Sequence, residues 1–289
     1  MRNHEVAHPL HTQALLESLL SAPLLVGDLE SSTFFDRRLF GSIAYNSEGL
    51  KLNYSQKLGH LYEDALSYLL ENANGEIPID VMGVSLQVFN DNKITQGELD
   101  YLLKIGEKIV HLELAVKFYL IYEQGGKTTF PGPDPRDDWD SKLSRMENHQ
   151  LKIASSEHGK KYLLDEYGVE NVEVNHLIYG KIFDHLSKIN SRESKLLPRS
   201  VCDQTMTYPW LYISQWDEYL EANQARFIPK HLWPASTNQY KKALLDTLPV
   251  VQKNEYVASM ADHQSCLMVW SARYRCPVFL VPDHWPSIL

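Results

Sequence analysis

Between residues 97 and 122 the chain reads GELDYLLKIGEKIVHLELAVKFYLIY, and no other stretch restricts the fold as much. Two strand-like runs, 98–104 and 109–122, flank a turn of Ile105, Gly106, Glu107 and Lys108, which is the pattern of a β-hairpin. Side chains alternate along a strand, so Leu112, Leu114, Val116, Phe118 and Leu120 form one apolar stripe that belongs in a core. The opposite face of the same strand carries Glu113, Ala115, Lys117 and Tyr119, while Glu98 and Asp100 share a face of the first strand with Leu102. Antiparallel pairing brings Asp100 beside Glu113. Two adjacent carboxylates repel unless a cation or a proton sits between them; the simpler alternative is a face that meets water, as charged residues mostly do.

The rest of the sequence surrounds this hairpin with helices. Residues 56–72 repeat apolar side chains at helical spacing (Leu58, Leu61, Tyr62, Ala65, Leu66, Leu69, Leu70), with Ser55 as the expected N-cap and Glu63 on the flank of the stripe. Asn74, Gly75 and Pro78 end that helix, and residues 84–89 read as a strand. After the hairpin, residues 124–138 hold three glycines and three prolines and read as a loop. A helix begins near Trp139, a second covers 160–167, and 172–183 alternates as a fourth strand.

Composition limits the function classes. The formal net charge is −9, and its acidity is N-terminal: residues 1–100 carry 6 basic and 14 acidic side chains. A nucleic-acid partner therefore has to be met by local basic patches, because the field of the whole molecule repels phosphate. Three scattered cysteines make no disulfide framework, which points to a reducing compartment and a cytoplasmic protein. The apolar run 14–26 contains Glu17 and lacks a basic leader, and no run reaches membrane-spanning length, so no membrane role is expected. Nothing resembles a phosphate-cradling glycine loop, a nucleophile elbow or an internal repeat.

A helix with a flank Glu, a strand, an Asp on the second strand, Glu and Lys on the third, and a basic helix before a fourth strand: this order resembles the PD-(D/E)XK, or restriction-endonuclease-like, nuclease superfamily. The strings GELD, HLELAVKFYL, PGPDPRDDWDSKLSRMENHQ and FLVPDHWP are also similar to one bacterial family placed in that superfamily, which brings no established activity with it. The resemblance implies a mixed α/β fold with a helix-strand-strand-strand-helix-strand core over residues 55–185. Residues 1–54 become an N-terminal helical extension, and residues 186–289 an appended, aromatic-rich C-terminal subdomain. It further implies a Mg²⁺ or Mn²⁺ site with Asp100 and Glu113 as ligands, Glu63 as an outer ligand, and Lys117 as the catalytic lysine beside the attacked phosphate.

One departure divides the functional reading. The superfamily's third strand usually reads Glu-x-Lys, but here that lysine position is Ala115 and the lysine is Lys117. Two residues keep the face and move the Cα by roughly 7 Å. The chain is therefore read as a metal-dependent nuclease, or as a catalytically inactive nuclease-fold protein that binds nucleic acid or another protein. Lys142, Arg145, His149 and Gln150 lie along the helix after the hairpin and suit contacts to a phosphate backbone; a solvated helix face is the alternative.

Two further sets include metal-ligating types. His4, His8 and His11 stand at helical spacing but near a terminus, where histidines usually do nothing, and His263, Cys266, Cys276 and His284 lack the tight paired spacing of a structural zinc site, so buried thiols are expected there. Trp210, Tyr212, Trp216, Trp233 and Tyr240, interleaved with Arg226, Lys230, Lys241 and Lys242, suit base stacking, although large aromatics are more often core.

Overall fold

Apolar alternation in the long strands calls for one packed sheet face, and the computed structural model has helices against both faces of β4. It describes residues 8–43, 50–189, 197–220, 225–251, 253 and 266–287. The helices are α1 (Pro9–Ser21), α2 (Leu58–Glu71), α3 (Trp139–Asn148), α4 (Glu157–Tyr167) and the single turns α5 (Trp216–Tyr219) and α6 (Lys242–Leu245). Strands β1 (Thr33–Phe34), β2 (Ile79–Phe89), β3 (Thr95–Ile105), β4 (Lys108–Leu120), β5 (Tyr122–Gln124) and β6 (Lys127–Thr129) precede α3. Strands β7 (Glu173–His185), β8 (Thr207–Tyr212), β9 (Arg226–Ile228), β10 (Leu267–Ser271) and β11 (Cys276–Val281) follow α4.

The protein is mixed α/β. Nine strands form one sheet in the order β2-β3-β4-β7-β8-β11-β10-β9, with β1 paired to β7, and β5 and β6 make a separate small hairpin. β2, β3 and β4 are antiparallel, whereas β4, β7 and β8 run parallel. The expected boundary near residue 185 falls inside this sheet: β7 passes directly to β8, and β11, β10 and β9 extend it.

One sheet face packs on α1 and α2, where Leu61, Tyr62, Leu66 and Leu69 meet Tyr101, Leu103, Leu112 and Leu114. Each of these side chains, fully buried, contributes about 1.5–3 kcal/mol. The other face of β4 lies under α3, whose Trp139, Leu143 and Met146 pack with Tyr119 and Ala115. Hence the Glu113–Lys117 face is covered rather than solvated. Asp138 caps α3 by accepting the Ser141 N–H at 3.1 Å, and Gly168 ends α4 in the left-handed conformation. Ser55 is not the cap of α2. That helix starts at Leu58 without a side-chain cap, and the Ser55 hydroxyl instead donates to Asn53 Oδ1 in a turn.

The C-terminal aromatics are core. Trp210, Trp216, Trp233 and Tyr240 are each no more than 4% exposed, so base stacking on them is ruled out and only Tyr212 is half-open. Cys266 and Cys276 sit at opposite ends of the β10–β11 hairpin as free thiols, too far along the strands to share an ion. His263 and His4 lie outside the described residues. No described helix is long and apolar enough to cross a membrane.

Helix α1 is tied to the distant part of the chain by a histidine pair. His11 Nδ1 lies 3.1 Å from His231 Nε2, His11 Nε2 lies 2.9 Å from Thr247 Oγ1, and Tyr54 packs edge-on against the His231 ring. His8 turns away and accepts the Leu10 N–H with its Nδ1. Burial pushes His11 below its ordinary 6.5 and, with His11 beside it, pushes His231 down to about 3. Both rings are neutral when folded, so their contribution to stability is complete above pH 6.5 and is lost as pH falls towards 3. His231→Gln is expected to be less acid-sensitive than wild type by roughly 2 kcal/mol at pH 4, read from urea unfolding across pH.

Candidate active site at a fork between two strands

The hairpin predicted from the sequence forms with the expected two-residue turn, in which Gly106 has φ +58°. Its ladder runs from Ile105↔Lys108 to Tyr101↔Leu112 and stops there. Beyond that point β3 stays with β2, as in Gln87↔Glu98, while β4 follows β7, as in Glu113↔His176. The strands fork at Asp100 and Glu113. Backbone groups at a fork lose their ladder partners and have to be satisfied otherwise. Asp100 does this by accepting the Leu114 N–H on its Oδ2 at 2.8 Å.

Electrostatics at the fork are severe. Asp100 is half-buried and Glu113 is only 3% exposed. Burial, followed by the charge of Glu113, pushes the Asp100 carboxyl up to about 8. Burial also pushes Glu113 up to about 7, against the opposing influence of the Asp100 backbone N–H. Neither has an arginine or lysine within salt-bridge distance among the described residues, although Lys142 lies within electrostatic reach of Glu113. The site also contains a residue the sequence reading passed over. His111 is fully buried two positions before Glu113, and its Nε2 lies 3.0 Å from Glu113 Oε1. The signal was available: period two puts His111 and Glu113 on one strand face.

Lys117 points to the same side, but its Nζ pairs with Asp137 at 3.5 Å. Lys142, from α3, is half-buried; burial and then the neighbouring charge of Lys117 lower its pKa. Two cationic groups thus share one side of the fork. Arg145 and His149 are exposed further along, and Gln150 is half-buried with its Oε1 lacking a partner. Glu63 reaches the fork only through its charge, which raises both carboxyls; its own carboxylate bonds His60 Nδ1 at 3.0 Å.

Oxygen donors that hold protons this tightly for want of a counter-charge suit a hard divalent cation. Among the described residues no group of three or more His, Cys, Asp or Glu side chains is gathered for a metal. Mg²⁺, however, is commonly held by one or two carboxylates, with water and substrate phosphate filling the remaining positions. Asp100 and Glu113 fit that demand, and Glu63 stands outside it.

Comparison with known proteins adds a family and no activity. No curated protein and no solved structure matches the chain. The profile of a family described as "Domain of unknown function (DUF1853)" matches residues 36–275, which takes in the fork, α2, α3 and α4 and most of the C-terminal strands. By that match, which extends over well more than half of its length, the chain belongs to the DUF1853 family.

Proposed function

We propose that this protein is a metal-dependent nuclease of the PD-(D/E)XK kind that hydrolyses nucleic-acid phosphodiester bonds with Mg²⁺ or Mn²⁺. The observation that carries the reading is the pair of half-buried Asp100 and buried Glu113 at the fork, without a counter-charge in contact, with Lys117 and Lys142 nearby. Placing two acids together without a counter-charge costs stability, and such costs concentrate at functional sites. The element order α2, β2, β3, β4, α3, β7 supports the same reading, with the acids on the second and third strands.

Asp100 and Glu113 would hold the ion, which when bound supplies Lewis-acid charge to a phosphate oxygen. Lys142 and Arg145 line the approach and draw in the phosphate backbone without reading sequence. Before an ion binds, the acid pair retains a proton in the neutral range, since burial and mutual repulsion oppose double ionisation. A second reading, an inactive nuclease-fold scaffold, is favoured by Ala115 at the usual lysine position and by the commitment of Lys117 to Asp137.

After chelator treatment and addition of Mn²⁺, the protein is expected to cleave plasmid DNA, single-stranded DNA or RNA. Glu113→Gln should slow that cleavage by roughly 100-fold or more, about 2.7 kcal/mol of barrier. Cleavage undiminished in the variant overturns the assignment. Salt-sensitive binding of nucleic acid with no turnover supports the scaffold instead.

A further inference from the structure

Among the described residues the imidazole of His111 is the one fully buried polar ring in contact with the acid pair, and it has no role in the proposed chemistry. Its backbone is fixed on both sides, opposite Leu102 in β3 and Val174 in β7, so the ring rises from the most constrained part of the sheet. Nε2 meets Glu113 Oε1 at 3.0 Å, whereas Nδ1 is buried and has no partner. That asymmetry fixes the tautomer. A proton on Nδ1 would leave a buried N–H without an acceptor, and an imidazolium would leave a buried charged one; a bare Nδ1 leaves only an unused lone pair. The proton therefore sits on Nε2 and is donated to Glu113.

We infer that His111 is a positioning residue whose Nε2–H holds the Glu113 carboxylate in one orientation, leaving its other oxygen to face a divalent cation at the fork. The inference rests on the nuclease reading. Carboxylates that serve a metal are commonly held by a hydrogen bond from behind, and losing that bond typically costs 10–100-fold in metal affinity. Asp100 has comparable support from the Leu114 N–H, and Glu113 is also reached by the Asp100 backbone N–H, so both acids would be held by fixed donors.

The test is isothermal titration of Mn²⁺ into the chelator-treated full chain, comparing wild type, His111→Phe and His111→Gln. Phe keeps the ring shape and removes the donor; Gln restores a donor at the reach of Nε2. The expected result is a roughly 10–100-fold weaker affinity in His111→Phe and an affinity within about threefold of wild type in His111→Gln. A purely packing role predicts the reverse order, since Phe is the better shape match. Equal affinity in wild type and His111→Phe overturns the positioning role and leaves the nuclease reading standing. Absence of Mn²⁺ binding by wild type overturns both. Should His111→Phe fail to fold, the imidazole ¹H–¹⁵N spectrum of the wild type decides: the Nε2–H tautomer is expected, and an Nδ1–H tautomer overturns the inference.

Discussion

Asp100→Asn is expected to make the metal-free protein more stable than wild type at pH 8, and equally stable near pH 4. The folded-state pKa of Asp100 is raised from 3.8 to about 8, and that of Glu113 from 4.5 to about 7. Between those limits the folded protein binds more protons than the unfolded chain, so stability falls as pH rises. The contribution is complete below about pH 4 and is lost as pH passes through 7 and 8. Asparagine can accept the Leu114 N–H as aspartate does, while carrying no charge to desolvate or to oppose Glu113. A gain of about 1.4–4 kcal/mol at pH 8 follows from one to three pKa units at 1.36 kcal/mol each. Thermal unfolding in chelator should register this as a midpoint higher by roughly 4–10 °C. Excess Mn²⁺ should narrow the gap by stabilising wild type alone. A variant less stable than wild type at pH 8 would mean that the acid pair is not strained.

Gly180→Ala is expected to have the larger effect, and in the opposite direction. Gly180 has φ +147° and faces Lys117 in the β4–β7 pairing. A Cβ there would lie 1.6 Å from the Lys117 carbonyl oxygen, which belongs to backbone and cannot rotate away. Both the dihedral and the contact exclude any side chain. The loss should exceed about 4 kcal/mol, enough to leave little soluble folded protein. Gly125→Ala is the control, because its φ of +59° is equally unusual while nothing lies within 4 Å of the added carbon. It should cost only about 1 kcal/mol.

Those two positions mark how far the sequence could be read. The hairpin, its turn and its apolar face follow from strand periodicity, and α2 follows from helical spacing, because both are local patterns in which burial and geometry agree. The neighbourhood of Asp100 and Glu113 was legible for the same reason. Their burial was not, since it depends on α3 folding back over β4, and Trp139 and Met146 give no sign in sequence of which strand they will cover. The catalytic role of Lys117 is an implication of the superfamily resemblance, supported in the sequence by its strand face. Its partner Asp137 comes from the loop before α3, where no periodicity operates. The cap of α2 was misplaced because Ser55 satisfies a nearer turn before it can satisfy the helix. The aromatics of the C-terminal third were legible as core by size, but their joining of the same sheet rests on the parallel β7–β8 and β8–β11 pairings, which are set by long-range packing.

The attachment of α1 to that last third carries a consequence for how the chain is made. Its partners His231, Gln239 and Thr247 lie more than 200 positions downstream, and His11 and His231 alone are 220 residues apart. At ordinary rates of synthesis, about 5–20 residues per second, one side of the first helix waits roughly 10–45 s on the ribosome before its partner exists. Leu10, Ala14 and the His11 ring have no C-terminal partner to pack against until that interval ends. Truncation anywhere before residue 231 leaves the amino-terminal helix without its clasp, however complete the fork itself has become.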